Sequence, residues 1–253
     1  MNHTVACENR KPDAGAGLRA VLRRELSGMS NTGIGWLVAA LMLSLSSVSF
    51  FWIAGFFEQD VASLDAYFDI WPAIFAFLIP ALTMRSFAEE RSSGMHEVLS
   101  VLPVSTGMLV TAKFSAVALF IVGVLLCATP VAFGVSLLGE LPFALVATQS
   151  TALLLLAWSM ISVGLFVSAL SANQLTAYVI TTVVLILLSF LHVIPSLLGL
   201  GGTAVEMART ISLDARFEQP AEGLLSIADI GFFIVVIVVF LRATTHALNA
   251  RRY

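Results

Sequence analysis

Chemistry-bearing side chains crowd into one stretch, PALTMRSFAEERSSGMHEVLSVLP, residues 80–103, where Glu89, Glu90, Arg91, His96 and Glu97 lie within a few positions of one another. His96-Glu97 begins like the zinc motif H-E-x-x-H, but the fifth position is Ser100, so two imidazoles cannot reach one metal. Lys113 follows a glycine in GMLVTAKF, residues 107–114, yet the second glycine and the hydroxyl residue of a phosphate-cradling loop are missing. His192 stands alone beside Pro195 and reads as a helix-packing or interface residue. No nucleophile, base and orienting acid fall into a recognisable pattern. The chain is therefore read as having no catalysis of its own, and energy-driven work must draw on another polypeptide.

The elements that carry these residues are set by composition. Apolar residues make up 58% of the 253 positions and charged residues 11%, less than half the roughly 25% usual for soluble domains. A helix crossing the ~30 Å hydrocarbon layer needs about 20 apolar residues, and lipid offers no partner to a bare backbone amide. Runs of that length fall at about 33–57, 70–86, 108–138, 142–170, 175–198 and 226–246. The expected fold class is an all-α polytopic membrane protein with six transmembrane helices. The second run is short and holds Pro72 and Pro80, which a bundled helix tolerates. The first ~30 residues are polar and basic, unlike a cleavable signal. With only Cys7 and Cys127, neither a disulfide framework nor a thiolate metal site is expected.

Positive charge orients the chain. Arg10, Lys11, Arg19, Arg23 and Arg24 precede the first run, Arg85, Arg91 and Lys113 flank the 80–103 link, and Arg242, Arg251 and Arg252 follow the last run. These belong in the cytoplasm by the positive-inside rule, with both termini there. The link with Glu58, Asp60, Asp65 and Asp69 belongs outside, as does the one near Glu140.

Residues 1–15 read as a flexible cytoplasmic tail and 16–30 as an interfacial amphipathic helix, with Leu18, Val21, Leu22, Leu26 and Met29 on one face and Arg19, Arg23 and Arg24 elsewhere. Residues 31–253 form the transmembrane domain. The second helix is expected to run on through SFAEER until Ser92, Ser93 and Gly94 interrupt it. A short helix follows, with Glu97 in its first turn, where the helix dipole favours a carboxylate. Met95, Val98, Leu99 and Leu102 form its apolar stripe, and Pro103 limits its length. An exposed stripe of this kind calls for a partner, unless it folds against its own bundle. SANQ, residues 171–174, is a tight polar turn. Gly164, Ser168 and Ala172 have the small-xxx-small spacing that permits close helix contact and would suit a dimer seam. Residues 199–225 are too polar to cross and are expected to form short external helices. No carboxylate lies near a span centre, which disfavours proton coupling. Lys113 is expected to snorkel to the inner surface, and Asp229 falls near the outer end of the last run.

This arrangement resembles the permease subunits of ABC type-2 exporters. Thr83, Met84, Arg85, Ser86, Phe87, Ala88, Glu89, Glu90, Gly94, Glu97 and Leu99 match a motif of the gliding-motility-associated branch, with Met95 in place of its usual small hydroxyl residue. Phe217, Gly223 and Asp229 fall at further shared positions. The resemblance implies the ABC type-2 exporter permease fold in the bacterial inner membrane. It also implies a dimer with a second, identical or different permease subunit, bound to two cytoplasmic ATPase subunits. ATP and Mg²⁺ would reside in those partners, with no cofactor in this chain and no role for nucleic acid. The link at about 85–106 would be a coupling helix seated in an ATPase groove, using Arg85, Phe87, Glu89, Glu90, Arg91, Gly94, Met95, Glu97, Val98, Leu99 and Leu102. Ser171, Asn173 and Gln174 would make a second, smaller cytoplasmic contact. A periplasmic accessory protein over 199–225 is a further partner to consider. The alternative is a secondary transporter or channel subunit that works without an ATPase.

Overall fold

The structure is a computed structural model that describes residues 14–31, 33–56, 63–92, 105–137, 142–199, 201–221 and 226–250. The described residues are almost entirely helical. The helices are α1 (Ala14–Asn31), α2 (Gly33–Val48), α3 (Asp65–Asp69), α4 (Trp71–Ser92), α5 (Thr106–Ser136), α6 (Phe143–Leu170), α7 (Gln174–Ser189), α8 (Val193–Leu197), α9 (Thr203–Ile211), α10 (Leu213–Ala221) and α11 (Ile227–Ala250). A π-helical turn, Ser49–Ile53, ends α2.

Five of these are long and apolar enough to cross a membrane: α2 with its π turn, α3 with α4, α5, α6 and α11. The helix α7 is equally apolar but has 16 residues, about 24 Å of rise. The run expected to continue to residue 198 stops at Ser189. There the Ser189 carbonyl accepts from the Ser212 hydroxyl, and Val193 N–H bonds Phe190 instead, 3.0 Å away.

The core lies around α6, which packs on α4, α5, α7, α10 and α11. In lipid, helices gain no hydrophobic drive from meeting one another, so close packing and interhelical hydrogen bonds must hold them. The residues of α6 fit that demand. Ala152, Leu156, Ala157, Met160, Ile161 and Val163 are fully buried. Gly164 sits so close to Thr83 of α4 that a side chain there would overlap it. The small-residue stripe is therefore spent inside the chain, at Gly164 and Ser168, while Ala172 is exposed in the turn. It is not a free dimer seam.

The helix α1 is described from Ala14 and packs along α5 and α2. Val21, Leu22, Leu26 and Met29 are half-buried and Arg19, Arg23 and Arg24 exposed, as the amphipathic pattern requires. The chain can fold back between α1 and α2 because Gly35 has no side chain to strike the Met29 carbonyl, and Trp36 Nε1 donates to the Ser30 carbonyl at 2.7 Å. At the opposite end of the bundle the π turn puts Phe50 in a stack with Phe56, Tyr67, Trp71 and Phe75, with neighbouring ring centroids 4.7–6.0 Å apart.

Candidate functional site

Two polar assemblies stand at opposite ends of the bundle. The first surrounds the end of α4. This helix carries Pro80 in its interior and continues through SFAEER to Ser92, the last described residue before the link; the expected break at Ser92, Ser93 and Gly94 runs into residues outside the described ones. Ser168 of α6 is inserted into its backbone ladder: the hydroxyl donates to the Met84 carbonyl at 3.2 Å and accepts from the N–H groups of Phe87 and Ala88 at 3.3 and 3.4 Å. Phe87 and Ser86 are buried, and Arg85 is half-buried. Glu89, Glu90 and Arg91 occupy the last turns of α4. Gly94, Met95, Glu97, Val98, Leu99 and Leu102 lie outside the described residues.

The turn after α6 lies at this same end, three residues beyond Ser168. Ser171 is buried, its hydroxyl donating to the Val167 carbonyl at 2.8 Å, so its polar group closes α6. Asn173 caps α7 by accepting from Thr176 N–H at 2.8 Å and is exposed; Gln174 is half-buried. The surface of the turn is thus made by Ala172, Asn173 and Gln174.

Lys113 does not snorkel. It is 2% exposed, donating to the Ser86 carbonyl at 2.6 Å and to Glu25 Oε1 at 3.0 Å, with its ammonium 5.1 Å from the centre of the Phe87 ring. Nothing in the sequence singles out Glu25; among the arginines of α1 it reads as part of a solvated face.

The second assembly is built on α3, α10 and the ends of α6 and α11. Residues 201–221 fold into α9 and α10, in keeping with the short helices expected there. His192 lies in the turn after α7 with Nδ1 2.9 Å from Ser212 Oγ, a packing role of the kind its isolation suggested. Its Nε2 is 3.9 Å from Glu218, which is also 3.9 Å from Arg209. Burial pushes the Asp214 carboxyl up to about 6, with nearby Glu218 and Asp69 acting in the same direction and His192 opposing. Asp229, at the start of α11, is buried and paired with Arg216 at 3.1 Å, whose guanidinium lies 5.4 Å from the Phe232 ring centre. Gln149, fully buried on α6, donates to Asp65 at 2.9 Å. Among the described residues no three His, Cys, Asp or Glu side chains converge as metal ligands.

A bundle built from five membrane-length helices among the described residues defines a polytopic membrane protein. A family model described as ABC-2 family transporter protein matches residues 38–210, about two thirds of the chain, and the chain belongs to that family. Membership makes it the permease component of an ABC transporter, a component distinct from the ATPase. No curated protein matches the chain.

Proposed function

We propose that this permease couples ATP hydrolysis in a separate cytoplasmic ATPase to export across the bacterial inner membrane, with residues 85–106 as the joint. In this reading α7 makes the sixth crossing and α1 lies in the inner interface. Both termini face the cytoplasm, and a second permease subunit completes the pathway. The observation that carries it is α4 itself: the helix runs on through SFAEER, is hydrogen-bonded to α6 at Ser168, and carries Glu89, Glu90 and Arg91 in its last described turns, just before the link. Met95, Val98, Leu99 and Leu102 then supply the apolar contact with the ATPase, the charged residues set its register, and Asn173 and Gln174 add the smaller contact. Closure of the ATPases would rock the bundle through this joint. The match of Thr83–Glu90, Gly94, Glu97 and Leu99 is what relates the chain to the gliding-motility-associated branch, a finer assignment than the family match, which stops at ABC-2.

The test is Leu99→Asp. A charge in the apolar stripe should abolish association with the ATPase while the variant inserts and purifies like the parent. Undiminished association would remove the stripe from the joint, and transport continuing without any ATPase would favour the secondary transporter or channel.

A further inference from the structure

Lys113 joins three helices. It stands two turns into α5, reaches Ser86 and the ring of Phe87 on α4, and holds Glu25 on α1. Taking a lysine and a carboxylate out of water costs several kcal/mol per ion, and an apolar side chain of similar length would fill the same space without that penalty. What the ammonium adds is direction, because its N–H donors fix where each partner sits. The Ser86 carbonyl lies one turn before Glu90, on the stretch of α4 that Ser168 grips from α6. The last turns of α4 are thus held from two sides, by a hydroxyl of α6 and by an ammonium of α5, and the ammonium also carries α1.

We propose that Lys113 and Glu25 are positioning residues that make α1, α5 and the end of α4 move as one body when the link is displaced. Without them a push on the link is absorbed by bending the last turns of α4, and α1 stays where it was. This inference rests on the reading of residues 85–106 as the ATPase joint.

The experiment uses the full chain purified with the ATPase that accompanies it, in lipid nanodiscs. Hydrogen–deuterium exchange is followed in residues 14–31 and 93–104 before and after trapping with ATP and vanadate. In the parent, both segments should change their exchange. In Lys113→Met and in the isosteric Glu25→Gln, the link should respond as before, while the response of residues 14–31 falls by about fivefold or more, the low end of usual coupling strengths. Lys113→Arg, which keeps the charge, should retain most of it. The proposal is overturned if residues 14–31 respond equally in parent and variants, or fail to respond in the parent while the link does. A parent that brings no ATPase, or whose link is silent to trapping, would instead overturn the joint itself. Glu25→Gln keeps the comparison open if Lys113→Met does not fold.

Discussion

The two ends of the bundle handle charge differently. At the link end, Lys113 and Glu25 are withdrawn from solvent, with side chains 2% and 17% exposed, and meet at 3.0 Å. At the far end, Arg209 and Glu218 are 57% and 51% exposed and stand 3.9 Å apart, with His192 at the same distance from Glu218. Exposed pairs at such separations contribute about 0–1 kcal/mol and exchange with water readily. A buried pair fixes geometry, because separating its members strands a charge in a medium that cannot solvate it. Under the proposed orientation, the comparison assigns rigidity to the end that would receive force and adaptability to the end that would face the other compartment. Among the described residues, Arg216 with Asp229 breaks the pattern, a tight anchor that pins α10 to the first turn of α11.

The largest effect should come from breaking the buried pair. Glu25→Ala leaves the ammonium uncompensated on one side and should cost about 3–5 kcal/mol, seen as a greater loss of melting temperature in detergent than any of the following substitutions produces. Next is the contact between α4 and α6. Gly164→Ala drives a methyl group into Thr83 and should destabilise by about 1–3 kcal/mol, and Thr83→Ala in the same chain should recover part of that in a double-mutant melting series.

A smaller, pH-dependent effect belongs to the far end. The Asp214 carboxyl is raised to about 6 in the fold and reverts to about 3.9 when unfolded. Between those values the folded state binds more protons, so stability should fall as pH rises from about 4 to 6, with the loss complete above that range. Asp214→Asn should flatten the melting curve across this window and stabilise the protein at neutral pH. Arg209→Ala should be the mildest, within about 0.5 kcal/mol. A loss there comparable to that of Glu25→Ala would erase the distinction between the two ends.

Much of the frame was legible because it depends on local rules. The membrane runs follow from apolar length, the faces of α1 from the spacing of Val21, Leu22, Leu26 and Met29, the extension of α4 from SFAEER, and the short turn from SANQ. What the sequence hid depends on partners far along the chain. Lys113 could be placed near the inner surface by position, but its carboxylate lies 88 positions upstream on a helix whose other charges face solvent. Hydropathy continued α7 to residue 198, since it cannot register that a serine hydroxyl 23 positions later captures the Ser189 carbonyl. Spacing alone also left open whether Gly164 and Ser168 would meet another subunit or another helix of the same chain; Thr83 and the α4 backbone fill that place. The apolar stripe of the link falls outside the described residues and stands on periodicity.

The central proposal is that the link after α4 is a joint for an ATPase. The most direct measurement is to purify the tagged chain from its native host in mild detergent and identify by mass spectrometry what accompanies it. A stoichiometric ATP-binding-cassette protein should be present with the parent and disappear with Leu99→Asp. A homo-oligomer of the permease free of any ATPase, under conditions that keep a known ABC complex intact, would contradict the coupling role.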